Sequence, residues 1–305
     1  MVGVSEGQLR LQDGRLLGYA EFGDEQGQPV FYFHGLPGSR LEARFLDQKA
    51  RIAGLRVIAV DRPGFGRSSF APGRVLADWP NDMTELADAL GVDHFAVVGN
   101  SGGGPYAAAC ARYLQKRLTG VVIVCGIGPP EAFEAAAERL LWSPRAFRQS
   151  SLVLGLFVRL AVLGFRHFPG LMFKAVATKV SEPDRKVLGV PWVRDTLQAS
   201  LQEGVRQGPR AGLQDLQLLF ARSWDFRLDE IPSEVFLWYG ESDRVVPPTV
   251  GVFLKQAIPK SHLFLLPEEG HFSLPINHME DIFQTVANFS RKGRKAVAEG
   301  SQSAR

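Results

Sequence analysis

The chain contains 305 residues, of which 45% are hydrophobic and 22% are charged. This length and balance are typical of a soluble globular protein with one large domain and room for an inserted subdomain, and they exclude a fibrous or disordered chain. The formal net charge of +3 is too small to indicate a nucleic-acid-binding protein.

Targeting and membrane signals are weak in this sequence. The first residues lack the basic start and the apolar core of a signal peptide. Residues 151–163 come nearest to a membrane span, but Arg159 interrupts them before the roughly 18 apolar residues that a span needs. Cys110 and Cys125 both lie in apolar surroundings, which favours reduced core thiols. These observations predict a cytoplasmic protein without an integral membrane span.

The first elements along the chain indicate a sheet. Residues 9–21 are typical of a β-hairpin, because Asp13 and Gly14 favour a two-residue turn. Short apolar runs then alternate with segments of helical spacing, as in a parallel sheet covered by helices on both faces. The predicted strands are Val30–Phe33, Leu55–Val60, His94–Val98 and Leu118–Cys125, and the predicted helices are Arg40–Ile52, Asp78–Leu90 and Pro105–Tyr113.

The alternation stops near Pro129 and resumes about a hundred residues later. Residues 131–227 have helical character without a clear strand, as expected of a helical cap inserted between two strands of the sheet. The later predicted elements are a strand at Glu234–Tyr239, a helix at Val250–Ala257, a strand at Leu263–Leu266 and a helix at Ile276–Arg291. We therefore predict a core formed by residues 1–128 and 228–291, a helical cap at 129–227 and a basic flexible tail at 292–305.

The segment Gly99–Gly103 (Gly-Asn-Ser-Gly-Gly) lies between a predicted strand and a predicted helix. Such a segment is typical of a nucleophile elbow, a sharp turn that holds a serine in strained backbone geometry. Residues two positions before and after the serine have to be small, and both are glycines here. The N-terminus of the following helix favours negative charge that develops beside it. We therefore predict Ser101 as a catalytic nucleophile.

A serine nucleophile needs a base and an acid that orients the base. Reactive groups in an open parallel sheet gather at the carboxyl ends of its strands. Asp243 and Glu241 follow one late strand, and His271 follows the last strand. The chain order of Ser101, Asp243 and His271 fits an elbow-type triad. Four other histidines are interpreted as surface or structural groups: His94, His167, His262 and His278.

An oxyanion hole requires two hydrogen-bond donors aimed at the developing charge. The backbone N–H of Gly102, directly after the nucleophile, is the first predicted donor. The loop after Val30–Phe33 is expected to supply the second, and Leu36 N–H is our choice because Pro37 has no N–H.

Together, these segments resemble the α/β-hydrolase superfamily. The matching segments are His34–Ser39, Asp61–Ser68, Gly99–Pro105, Gly240–Asp243 and Gly270–His271. The resemblance implies an α/β-hydrolase fold with a mostly parallel sheet and an inserted helical cap. It also implies Ser101 as nucleophile, His271 as base, Asp243 as orienting acid, and Leu36 and Gly102 as oxyanion donors. By the same resemblance, Asp61–Gly64 is a structural turn rather than a reactive group.

The predicted function is that of a serine esterase, which forms an acyl-enzyme with a small, largely apolar carboxylester. A C–C bond hydrolase, a lactonase, a lyase or a perhydrolase would use the same triad. An aminopeptidase is less favoured, because Leu36–Gly38 replaces the glycine-rich run of proline iminopeptidases. A non-catalytic receptor on a hydrolase fold is the alternative from another class.

Partners and cofactors are less well defined by the sequence. Residues 152–180 are rich in Leu, Val, Phe and Ala, with interspersed basic residues. They could roof an apolar pocket or pack within the cap, while a homodimer contact or docking on a lipid surface also stays open. The sequence displays no metal-ligand cluster, phosphate loop or dinucleotide fingerprint, so we predict a small-molecule substrate and neither a metal nor a cofactor.

Overall fold

The computed structural model describes residues 5–136 and 151–289. Eight strands form one sheet in the order β1-β2-β4-β3-β5-β6-β7-β8. The first two strands pair antiparallel, and β2 is also antiparallel to β4, whereas all other neighbours are parallel. This confirms the mostly parallel sheet. The strands are β1 Ser5–Arg10, β2 Leu16–Gly23, β3 Gln28–Phe33, β4 Leu55–Val60, β5 Phe95–Asn100, β6 Leu118–Val124, β7 Val235–Gly240 and β8 Ser261–Leu266.

Helices follow most of the strands and also form much of the described chain between β6 and β7. The described α-helices are α1 Asp47–Ala53, α2 Trp79–Ala89, α3 Gly104–Tyr113, α4 Ser151–His167, α5 Pro169–Ala177, α6 Glu182–Leu188, α7 Pro191–Gly204, α8 Arg210–Leu216, α9 Pro248–Ala257, α10 Ser273–Asn277 and α11 at residues 279–289.

Two predicted helices differ from the observed ones. The first half of the predicted helix Arg40–Ile52 is a 3-10 helix, Arg40–Leu46, which begins where the Ser39 hydroxyl accepts a hydrogen bond from Leu41 N–H. The predicted closing helix is broken at His278 into α10 and α11.

The central strands of the sheet are buried on both faces, as their apolar runs predict. Phe33 of β3 packs in one cluster with Trp79 of α2, while the neighbouring Tyr32 packs on the other face with Phe283 of α11. Alternate residues of one strand therefore enter two separate cores. Each fully buried large apolar side chain stabilises this arrangement by about 1.5–3 kcal/mol.

The helices between β6 and β7 lie against loops that follow the parallel strands. The Ser200 hydroxyl of α7 accepts a hydrogen bond from Ser39 N–H, at 3.0 Å, in the loop after β3. Gly204 packs so closely on Gly38 that a β-carbon there would lie 2.3 Å from the Gly38 carbonyl oxygen. The inserted helices therefore contact the edge of the sheet where the carboxyl ends of its strands meet. The cap boundaries at 129 and 227 stay a prediction, and the predicted tail at 292–305 lies outside the described residues.

Within the described ranges, no single helix is both long and apolar enough to cross a membrane. Leu154–His167 and Pro169–Ala177 together have the required length and composition, but the pair is bent by 114°. Cys110 and Cys125 are both buried, unbridged thiols, as predicted.

Candidate active site

Ser101 lies at the turn between β5 and the following helical residues, with a φ of 50°. A positive φ is unfavourable for a residue with a side chain, so the surrounding packing has to hold it. A β-carbon on Gly99 would lie 2.5 Å from the Gly103 carbonyl oxygen, and one on Gly103 would lie 2.1 Å from the Phe33 carbonyl oxygen. The turn therefore has no room for larger residues at these two positions.

The side chains of Ser101, His271 and Asp243 form a continuous hydrogen-bonded chain. His271 Nε2 lies 3.0 Å from Ser101 Oγ, and His271 Nδ1 lies 2.8 Å from Asp243 Oδ2. The other carboxylate oxygen, Asp243 Oδ1, accepts hydrogen bonds from the N–H groups of Val245 and Val246. A proton on Nδ1, donated to Asp243, leaves Nε2 free to accept the hydroxyl proton of Ser101.

All three side chains of this chain are shielded from solvent, since Ser101 is 7% exposed and Asp243 and His271 are each 6% exposed. Burial by itself lowers the pKa of His271. The negative charge of Asp243 and its hydrogen bond outweigh this effect, so the pKa of His271 is raised above the ordinary value of 6.5. The imidazole is thus made more basic by the carboxylate that orients it.

The loop after β3 crosses directly over the serine turn. A β-carbon on Gly102 would lie 3.1 Å from the backbone nitrogen of Leu36, and one on Gly35 would lie 3.5 Å from Ser101 Cβ. The two predicted oxyanion donors, Leu36 N–H and Gly102 N–H, are therefore neighbours beside the serine. The glycine at position 102 permits this close approach of two backbone segments, because a β-carbon there would lie 2.8 Å from Leu36 Cβ.

Glu42 holds the loop after β3 in place through hydrogen bonds, a role that the sequence did not predict. This carboxylate is 6% exposed. It accepts hydrogen bonds from Gly35 N–H at 3.1 Å, from the Tyr32 hydroxyl at 2.7 Å and from the Asn100 amide at 2.9 Å. It therefore joins the loop after β3 to the residue directly before Ser101.

His34 is the first residue of the same loop, and its ring holds the loop in place through hydrogen bonds. Burial, with the nearby positive charge of Arg62, lowers the pKa of His34 well below 6.5, so the imidazole is neutral. Its Nε2 accepts from Arg62 N–H at 3.2 Å, which leaves Nδ1–H to donate to the Gly35 carbonyl oxygen at 2.8 Å. The ring thereby holds the loop against the turn that begins at Asp61.

Asp61 forms a buried ion pair with Arg40. Its carboxylate accepts from the backbone N–H groups of Arg40 and Arg67, at 2.7 and 2.9 Å, and pairs with the Arg40 guanidinium at 2.8 Å. Burial raises the pKa of Asp61, although Arg40 opposes the shift. These contacts agree with the structural role that the family resemblance implies for this turn.

Asp215 of α8 joins the inserted helices to the core through a second buried network. Its carboxylate accepts hydrogen bonds from Arg62, Arg74 and the Tyr106 hydroxyl. Burial alone would raise the pKa of Asp215, but the two guanidinium groups outweigh it and lower the pKa. Arg62 also donates to the carbonyl oxygens of His34 and Gly35, so this network reaches the loop after β3.

Asp184 of α6 holds the loop that carries the histidine. Its buried carboxylate accepts from the backbone N–H groups of His271 at 3.1 Å, Phe272 at 2.7 Å and Ser273 at 2.9 Å. The Ser181 hydroxyl donates to it as well, at 2.8 Å. Sequence reasoning missed this residue because its partners lie almost ninety positions further along the chain, and nothing in its local sequence distinguishes it.

The other sequence candidates lie away from this hydrogen-bonded chain. Glu241 is exposed, whereas Asp243 reaches the histidine. His262 pairs with Glu234 at the far end of β8, and His278 pairs with Glu269. His94 and His167 are exposed. Within the described part of the chain, Cys125, Asp243 and His271 place three possible metal-ligand atoms within 4.8 Å of one another, but two of these residues already bind each other.

The family model of the α/β hydrolase fold matches residues 28–277, and the chain belongs to this family. Over 279 residues it is 27% identical to 2-hydroxymuconate semialdehyde hydrolase of Pseudomonas putida, a match that covers 87% of both chains. It is 25% identical to a bifunctional esterase/perhydrolase of Acinetobacter calcoaceticus, with 93% of this chain and 99% of the relative covered. A bromoperoxidase structure from Bacillus anthracis matches with a TM-score of 0.70 at 22% identity, over 94% of this chain and all of that one, which shows a shared fold.

We expect Gly103→Ala to destabilise the protein by about 3 kcal/mol, because its β-carbon would meet the Phe33 carbonyl oxygen at 2.1 Å. Thermal unfolding measures the effect. Gly170→Ala is the matched control, since a β-carbon there meets nothing within 4 Å. Equal unfolding temperatures for the two variants would contradict the packing argument.

We expect Asp184→Asn to loosen the histidine loop, because an amide can replace only one of the two accepting oxygens. The predicted loss of stability is about 1–3 kcal/mol. Amide hydrogen exchange of residues 271–273 is expected to accelerate more than exchange elsewhere. Asp195→Asn is the control, since that carboxylate is 67% exposed in a surface pair. Unchanged exchange at residues 271–273 would refute the role assigned to Asp184.

Proposed function

We propose that this protein is a serine hydrolase that cleaves an ester-like bond of a small, largely apolar substrate through an acyl-enzyme. The observation that carries the proposal is the buried chain from Ser101 to His271 to Asp243, with distances of 3.0 and 2.8 Å. Membership of the α/β hydrolase family and the named esterase and hydrolase relatives support the same chemistry.

In the first half of the reaction, His271 Nε2 accepts the hydroxyl proton as Ser101 Oγ attacks the carbonyl carbon. The carbonyl π-electrons move onto oxygen, and the N–H groups of Leu36 and Gly102 stabilise this oxyanion. When the tetrahedral intermediate collapses, the bond to the leaving alcohol breaks. The alcohol takes the proton from His271, and the acyl group remains on Ser101.

In the second half, water replaces the alcohol. His271 accepts a proton from water as its oxygen attacks the acyl carbon, and the same two N–H groups bind the second oxyanion. Collapse of this intermediate breaks the acyl–Ser101 bond and returns the proton to Ser101 Oγ. Asp243 keeps its negative charge throughout and stabilises the transient imidazolium.

We also propose that the helices between β6 and β7 act as a cap and select the substrate. Asp184 attaches them to the His271 loop, and Ser200 attaches them to the loop after β3. An apolar pocket under these helices would favour the apolar part of an ester. The burial of Ser101 to 7% exposure supports a substrate site that is shielded from water.

Hydrolysis of a C–C bond is the second candidate, favoured by the relative from Pseudomonas putida, which is a 2-hydroxymuconate semialdehyde hydrolase. A direct comparison separates the two functions. Turnover of p-nitrophenyl esters with no turnover of 2-hydroxymuconate semialdehyde supports the esterase, and the reverse preference supports the C–C hydrolase.

We expect a fluorophosphonate probe to add once to the wild-type protein and not to Ser101→Ala, as measured by intact mass. Ser101→Ala should also reduce ester turnover by about 10⁴-fold or more, because the nucleophile is lost. Ser223→Ala is the control, since the Ser223 hydroxyl lies on the surface and binds Glu131. A folded wild-type protein that stays unlabelled would refute an activated Ser101.

We expect kcat/KM to fall on the acidic side with an apparent pKa above 6.5. A protonated imidazole cannot accept the serine proton, and Asp243 raises the pKa of His271. Activity is therefore present above this pKa and lost as the pH falls through it. Glu234→Gln, beside His262, should leave the profile unchanged. An acidic limb below 6.5 would contradict the coupling between His271 and Asp243.

A further inference from the structure

Helix α4 is apolar on two opposite sides, and the described residues cover only one of them. Leu154, Val158, Val162 and Phe165 form a buried row that packs with Val205 at the end of α7. Their spacing of three and four residues places them on one face of the helix. This face attaches α4 to the rest of the inserted helices.

The opposite side of α4 and the start of α5 carry large apolar side chains that are exposed. Six of them are between 51% and 67% exposed: Leu156, Phe157, Leu160, Leu163, Phe168 and Leu171. We call these six residues the outer apolar surface. A surface helix normally presents polar residues to water on the side away from the core, so this arrangement marks a contact surface.

The acidic and basic residues of the segment that carries the outer apolar surface are all basic. Residues 151–180 contain no Asp or Glu. Arg159 and Arg166 are seven positions apart on α4 and border the outer apolar surface. Lys174 lies on α5, and Lys179 lies just after it. All four of these side chains are exposed. A partner for this surface therefore has to combine apolar material with negative charge.

An anionic phospholipid bilayer combines both properties. A helix that lies in the plane of the bilayer buries apolar side chains among the acyl chains, while Lys and Arg at its sides meet the acidic headgroups. A second copy of the chain fits less well, because a symmetric contact would bring the same cations together without a carboxylate in residues 151–180 to pair with them.

We propose that the outer apolar surface docks the protein on the surface of anionic phospholipid membranes. The helices α4 and α5 lie on the bilayer rather than across it. They are bent by 114° with respect to each other, and the buried row of α4 is engaged with the protein itself. This inference is independent of the chemistry proposed for Ser101.

The test is flotation of the full chain with vesicles of phosphatidylglycerol and phosphatidylcholine, compared with vesicles of phosphatidylcholine alone. We expect binding to be about tenfold stronger on the anionic vesicles and to weaken as salt is added. Leu160→Ser/Leu163→Ser and Arg159→Glu/Arg166→Glu are each expected to reduce binding about tenfold. Circular dichroism and thermal unfolding confirm that the variants are folded.

Two matched control variants change exposed residues outside α4 and α5. Ile52→Ser removes a side chain that is 75% exposed on α1, and Lys186→Glu reverses a charge that is 73% exposed on α6. Both should bind anionic vesicles as the wild type does. Absence of wild-type binding overturns the proposal, and so does equal binding by all variants. The wild type could also fail to bind vesicles and instead form dimers that Leu160→Ser/Leu163→Ser dissociates. In that case the proposal is wrong, and a second copy of the chain covers the outer apolar surface.

Discussion

The sharp turn at Ser101 is the constraint on which the rest of the candidate site depends. Its positive φ persists because β5 and α3 meet there with no space for side chains at Gly99 and Gly103. Gly103 packs on the carbonyl of Phe33, so the turn also fixes the end of β3. The loop after β3 consequently passes over Ser101 and brings Leu36 beside the N–H group of Gly102.

Two buried carboxylates make the inserted helices part of the site. A buried charge is costly unless it is paired or hydrogen-bonded, so each of these groups demands fixed partners. Asp184 finds them in the backbone of the histidine loop, and Asp215 finds them in Arg62, Arg74 and Tyr106 of the core. A shift of the inserted helices would leave both carboxylates unsatisfied, which couples their position to that of the loops around Ser101.

Local sequence predicted most of the sheet and the order of the site residues. Buried parallel strands require continuous apolar runs; β7 is such a run, and in β4 only Arg56 interrupts it. The elements that differ from prediction are those that tertiary contacts override. The segment after Ser39 forms a 3-10 helix, and the buried guanidinium of Arg40 within it is held by Asp61. Helical spacing alone cannot reveal such a contact.

The sequence by itself determined the parallel sheet, the glycine-flanked turn at Ser101 and the chain order of serine, acid and histidine, because each depends on residue type at short spacing. Only the tertiary structure decided that Glu42 and Asp184 hold the two loops beside Ser101. It also decided which side of α4 is left uncovered. These features depend on contacts between residues that are far apart in the chain. The periodicity of a sequence predicts which face of a helix is apolar, but it does not predict which residues cover that face.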